Sequence, residues 1–134
     1  MNLDTNKSSV FLMYYRLILV TKYRKRVINK DVSEYAQSIF LRISETYHID
    51  LIDWSSNEDN IQIVFKAQPK TELTKFINAY KSASSRLIKK DYPDIRNQLD
   101  KDVFWAKSFC LLTTGDVTDE IIESYIQSQG TNNR

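Results

Sequence analysis

The sequence predicts an α+β fold of the ferredoxin-like, split β-α-β type, ordered β-α-β-β-α-β, with one further helix at the C-terminus. Apolar residues switch along the chain between the period of two that strands impose and the three-or-four spacing of helices, in the order strand, helix, strand, strand, helix, strand, helix. The two middle strands are separated by one short polar turn, so an antiparallel hairpin is their natural pairing. Each of the two inner helices carries a single apolar stripe, which places both on one face of an antiparallel sheet and leaves the other face open. With 134 residues, 42% of them hydrophobic and 27% charged, the chain is sized for one domain with one core. That domain spans 1–134, with its core at about 9–130 and flexible ends at 1–8 and 131–134.

Composition narrows the partners less than it narrows the compartment. The formal net charge is +2, so any nucleic-acid surface has to come from local clustering. Cys110 is the only cysteine, which excludes an intrachain disulfide and a cysteine-built zinc site and suits a reducing, cytoplasmic setting. Met1 to Ser9 is polar, and the apolar run Val10 to Val20 includes Arg16 and is too short to span a bilayer, so no membrane association is expected.

Val10 to Val20 is rich in aromatic and β-branched residues and reads as a central strand, ending in the basic cluster Lys22-Tyr23-Arg24-Lys25-Arg26. Tyr35, Ile39, Phe40, Ile43 and Tyr47 then mark a helix, capped by Asn29 or Asp31. Ile49 to Trp54 alternates as a short strand, Ser55 to Asp59 is a turn, and Asn60 to Phe65 returns as the hairpin partner. Leu73, Phe76, Ile77, Tyr80, Leu87 and Ile88 mark the second helix, which stops before Pro93 because the residue preceding a proline avoids helical dihedrals. Asp94 to Asp102 reads as a polar connection and Val103 to Leu112 as the fourth strand, broken at Gly115. Thr118 can cap a last helix, with Asp119 and Glu120 at the positive end of its dipole, and Gly130 closes it.

The hairpin strand carries the chemistry. Ile61, Ile63 and Phe65 point to the helix-covered side, whereas Asn60 and Gln62 point to the open face, about 7 Å apart by the usual strand rise. Two carboxamides so placed can aim oxygens at one cation or phosphate; on pattern alone a half-solvated strand face is the plainer reading. On the last helix Tyr125 and Gln129 are one turn apart and share a side, with Ile122 and Ile126 on the neighbouring stripe. A tyrosine there is either the rim of an apolar face or a nucleophile for covalent catalysis, with Gln129 supplying an oxygen to the same cation.

Tyr15 to Arg24, Asp59-Asn-Ile-Gln-Ile-Val-Phe65, the Ile77 to Pro93 helix, Phe104-Trp-Ala-Lys-Ser-Phe109 and Tyr125-Ile-Gln-Ser-Gln129 follow in the order and spacing of a known family. In these segments, from about Ser9 to Gly130, the chain resembles the small single-tyrosine HUH transposases, the TnpA-type enzymes of bacterial insertion sequences. The resemblance implies a homodimer that recognises DNA hairpins and cuts single-stranded DNA through a 5′-phosphotyrosine, using Mg²⁺ or Mn²⁺. It places Tyr125 at the nucleophile position and Gln129 at that of the third metal ligand, on a helix that serves the partner subunit's site. The family's His-hydrophobic-His falls on Asn60-Ile61-Gln62, where both histidines are missing, and His48 lies on the wrong element to replace them.

Three neutral carboxamides make a weak site for a hard cation that prefers carboxylates and holds its waters. In-line displacement at a phosphodiester relies on such a cation, so the expectation is a DNA-binding dimer with impaired or absent cleavage and no cofactor. Restoring Asn60→His and Gln62→His is expected to recover metal binding. The alternatives are an active transposase with unusual ligands and a domesticated, non-catalytic DNA-binding regulator. Lys22, Tyr23, Arg24, Lys25 and Arg26 offer phosphate contacts around a ring on which a base can stack, and Arg86, Lys89 and Lys90 form a second basic group; a solvated turn and helix end are the plain alternative. The uncovered sheet face leads to the expectation that the last helix packs across a subunit boundary.

Overall fold

The computed structural model describes residues 13–132. Its strands are β1 (Met13–Val20), β2 (Asp50–Asn57), β3 (Asn60–Ala67) and β4 (Cys110–Thr113), and its helices α1 (Lys30–Thr46), α2 (Leu73–Asp91), α3 (Pro93–Arg96) and α4 (Asp119–Asn132). The expected strand residues Val10 to Leu12 and flexible segment 1–8 lie outside the described residues; at the other end α4 remains helical to Asn132. The sheet order is β2-β3-β1-β4 with every neighbouring pair antiparallel. Strands β1 and β2 therefore run parallel with β3 between them, the split β-α-β arrangement.

Register explains the two faces. Leu19 pairs with Ile61 and Leu17 with Ile63, and these four join Phe65 and the buried sides of α1 and α2 in one core. At its centre the Phe40 ring meets Trp54, Phe65, Phe76 and Tyr80 at centroid distances of 5.2 to 6.2 Å. Asn29 caps α1, its Oδ1 accepting from Val32 N at 2.9 Å. On the opposite face Ile18 pairs with Gln62 and Val20 with Asn60. There Ile122 and Ile126 of α4 bury themselves against Ile18 and Val20. The helix expected to cross a subunit boundary thus lies on its own sheet, because its apolar stripe completes the apolar half of that face.

Four local expectations are corrected. Strand β2 runs on to Asn57, with a bulge between Leu51 and Asp53, so the turn shrinks to Glu58 and Asp59. The polar connection after α2 contains the short helix α3, for which Pro93 at the first position is preorganised. The fourth strand is Cys110–Thr113, and of the residues predicted upstream of it only Trp105 bridges, in isolation, to Thr21. Lys81 Nζ donates to the carbonyls of Ala106, Lys107 and Ser108 at 2.8, 3.0 and 3.3 Å, and Trp105 Nε1 donates to Ser84 Oγ at 2.9 Å. Three successive carbonyls turned toward one ammonium do not alternate as a strand's do, which interrupts the ladder between Trp105 and Cys110. Finally, Gly130 lies inside α4 instead of ending it, at a close approach where an added Cβ would stand 3.0 Å from Arg24 Cδ.

The core also carries a pH signature. Tyr80 is fully buried, donates to Ala36 O at 3.0 Å, and burial holds its phenol far above the ordinary value of 10.0. The folded state therefore holds this proton more tightly than the unfolded chain. Its contribution is complete below pH 10 and is lost as pH rises above that value. Chemical-denaturant midpoints are expected to hold steady from pH 8 to about 9.5 and fall beyond pH 10, with a shallower alkaline fall in Tyr80→Phe.

Candidate functional site

On the open face, side chains from β1 and β3 and from the loops beside them form a continuous hydrogen-bond chain. Arg16 Nη1 donates to Gln62 Oε1 at 3.3 Å, Gln62 Nε2 to Asn60 Oδ1 at 3.4 Å, and Asn60 Nδ2 to Asp59 Oδ1 at 2.6 Å. Asp59 Oδ2 closes it by accepting Arg24 Nε at 3.0 Å. The direction is fixed from both ends. Arginine only donates and an ionised carboxylate only accepts, so neither carboxamide can be reversed without setting like groups together. Asn60 is buried at 2% exposure, and the Asp59 carboxylate is 14% exposed. The Arg16 Nε is buried without an acceptor among the described residues, a condition that costs on the order of 1–3 kcal/mol for a polar group and more for a charged one.

Asn60 and Gln62 line a cleft of about 710 Å³ together with Tyr23, Arg24, Arg26, Glu58, Asp59 and, from α4, Glu123 and Gly130. Tyr125 does not line it. At about 100° per residue, Tyr125 projects roughly 200° around α4 from Glu123, toward the β4 side. There its hydroxyl lies 2.8 Å from Ser108 Oγ, and Ser108 Oγ donates to Gln129 Oε1 at 3.2 Å, which leaves the phenol as the donor to Ser108. Burial pushes the Tyr125 phenol up, the Ser108 hydrogen bond opposes this, and the neighbouring Cys110 thiol adds to the rise. Within one chain, then, the structure brings Tyr125 to Gln129 and Asn60 to Gln62, but α4 itself stands between the two pairs.

A divalent cation does not fit this arrangement. The oxygens that would ligate it are already acceptors: Gln62 Oε1 of Arg16, Asn60 Oδ1 of Gln62, and Gln129 Oε1 of Ser108. Among the described residues no cluster of three or more His, Cys, Asp or Glu side chains could hold a metal. The Arg16 charge is a further obstacle, since a cation held by Gln62 Oε1 would lie close to a guanidinium bonded to the same oxygen, and like charges repel.

The expected DNA-contacting residues fall in two places. Lys22 Nζ sits over the Tyr23 ring at 5.2 Å from its centroid, Tyr23 is 38% exposed, and Arg26 pairs with Glu58 at 2.9 Å. Arg86, Lys89 and Lys90 line a second depression with Pro93, Arg96 and Asp102, where Asp102 accepts Arg96 at 2.8 Å and pairs with Lys89 at 3.5 Å. One segment ties the groups together: Lys22 N donates to Phe104 O at 2.9 Å and Lys89 Nζ to Asp102 O at 2.8 Å.

Sequence reasoning passed over Arg16 and Ser108. Arg16 shares strand parity with Ile18 and Val20, so the same alternation that placed Gln62 on the open face places Arg16 there too. Ser108 had no such signal, because its position depends on the irregular segment that Lys81 pins.

Fold and site together define a small α+β protein with a tyrosine-bearing helix laid across the polar face of an antiparallel sheet. Residues 9–129 match the family model described as IS200-like transposase, and the chain belongs to that family. It is similar to the ISDra2 transposase TnpA of Deinococcus radiodurans, 27% identical over 129 residues that cover 96% of this chain and 92% of that protein. The IS200 transposase of Salmonella typhimurium is 22% identical over 115 residues, covering 86% of this chain and 75% of the relative. Among solved structures, a Deinococcus radiodurans protein assigned as a transposase superposes with a TM-score of 0.83 at 27% identity, covering 92% of this chain and 95% of the other. A REP-associated tyrosine transposase bound to a REP hairpin shares the fold, with a TM-score of 0.58 at 5% identity over 85% of this chain and 62% of its own.

Proposed function

We propose that this protein binds single-stranded or hairpin DNA as a homodimer, and that cleavage through Tyr125 is impaired or lost. The observation that supports the second half is the Arg16-Gln62-Asn60-Asp59-Arg24 chain, in which the Gln62 and Asn60 oxygens each accept a hydrogen bond. A phenol held above its usual pKa by burial and committed to Ser108 is a poor nucleophile without an activating cation or base. Support for DNA as partner comes from family membership, from the hairpin bound by the fold neighbour, and from the cleft joining Arg24 and Arg26 to the exposed Tyr23 ring. On this reading phosphates meet the guanidiniums and an unpaired base stacks on the ring. Fluorescence anisotropy with a labelled hairpin oligonucleotide tests this: saturable binding is expected in EDTA, with no gain on adding Mg²⁺. Binding that requires Mg²⁺ contradicts it.

Support for the dimer comes from family resemblance and from Tyr14, which follows Arg16 in strand parity onto the α4 side of the sheet and is 39% exposed there. Sedimentation equilibrium at micromolar concentration is expected to give twice the chain mass; a single-chain mass throughout would refute it.

A further inference from the structure

We propose that Arg16 is a built-in replacement for the divalent cation, a fixed guanidinium that keeps this site metal-free. The inference rests on the reading that Asn60 and Gln62 stand at the family's ligand positions, and it goes further. Loss of two histidines weakens a metal site; a charged side chain bonded to one of the replacing ligands closes it.

Arg16 Nη1 takes Gln62 Oε1, the atom through which that side chain would bind a metal, and the next bond in the chain takes Asn60 Oδ1. Because both ends are charged, the chain has one stable polarity, and turning either oxygen outward breaks two bonds at once. Arg16 cannot withdraw easily. It is half-buried on a central strand, between Val64 of β3 and Leu112 of β4 in register, and its Nε is already enclosed. Nor can it become a ligand, since a guanidinium carries only N–H donors and no acceptor. The charges that face it along the chain are Asp59 and, beyond that, Arg24, and the Asp59 carboxylate is paired with Arg24. No carboxylate within the hydrogen-bond chain is therefore bonded to Arg16, although Glu58 and Glu123 line the same cleft as Asn60 and Gln62.

The consequence is specific: putting two histidines back is insufficient. A chain with Asn60→His and Gln62→His alone still presents a cation beside the pair, whereas adding Arg16→Met removes the charge and keeps an unbranched apolar stem in place of the arginine's. Mn²⁺ binding to the full-length protein, read from the electron paramagnetic resonance signal of free Mn²⁺, separates the cases without any need for catalysis. The chain with both histidines and Arg16→Met is expected to bind Mn²⁺ at least tenfold more tightly than the chain with both histidines alone. Arg16→Lys in the same background is expected to behave like the arginine, because it keeps the charge. Should Arg16→Met fail to give a cooperative thermal melt, Arg16→Gln serves in its place. Equal Mn²⁺ affinity with and without Arg16, or micromolar Mn²⁺ binding by the unaltered protein, overturns the proposal. Hairpin binding measured on the same proteins keeps the two readings apart: its absence in the unaltered chain would defeat the DNA-binding reading, while the Mn²⁺ comparison still decides the role of Arg16.

Discussion

Phe40→Ala is expected to destabilise the fold by about 3–5 kcal/mol, the range for truncating a fully buried aromatic. The ring is wholly inside and touches four other aromatic side chains drawn from β2, β3 and α2. Those elements cannot collapse onto the vacancy together, because the β-ladder fixes Trp54 and Phe65 while α2 fixes Phe76 and Tyr80. The cost should therefore sit toward the upper part of the range. Urea unfolding followed by tryptophan fluorescence reads it, since Trp54 lies against Phe40. A loss below about 1.5 kcal/mol, typical of volume-conserving swaps, would mean that this cluster is not the centre of the core.

Raising salt from 50 to 200 mM is expected to weaken single-stranded DNA binding by about fifty-fold, given roughly four phosphate contacts and a slope near −0.7 per contact. The two arginines beside the cleft should not contribute alike. Arg26 and Glu58 are exposed at 78% and 63%, so Glu58 gives way to a phosphate at little cost. Arg24 is paired with a mostly enclosed Asp59 that also anchors Asn60, and it lies against Gly130. Arg26→Ala is expected to reduce the salt slope by about one contact, whereas Arg24→Ala disturbs the carboxamide chain and changes stability as well as binding. An unchanged slope in Arg26→Ala would move the DNA path to the second basic group around Arg86, Lys89 and Lys90.

The fold class was legible because periodicity is local. Ile61, Ile63 and Phe65 alternate strictly, α1 and α2 carry single apolar stripes, and proline and caps mark their ends, so the order of elements followed from neighbours along the chain. The fourth strand is shorter than its composition suggests for a nonlocal reason: Lys81, from another element, gathers the carbonyls of Ala106, Lys107 and Ser108. Gly130 resembles a helix terminator until Arg24, more than a hundred residues earlier, lies against it. Of the site, Asn60, Gln62, Tyr125 and Gln129 could be picked out by parity and spacing. What parity cannot give is which oxygen accepts from which donor, and that detail decides whether carboxamides are ligands or links in a hydrogen-bond chain.

The central claim, that this transposase-family protein holds DNA without cutting it, is tested most directly by a denaturing gel. Unaltered protein is incubated with a labelled single-stranded oligonucleotide carrying a hairpin, in Mg²⁺ or Mn²⁺, and scanned for label migrating with protein. The expected result is no covalent band at any time point, with Tyr125→Phe indistinguishable from the unaltered chain. A shifted band that forms with the unaltered protein and disappears in Tyr125→Phe would contradict it.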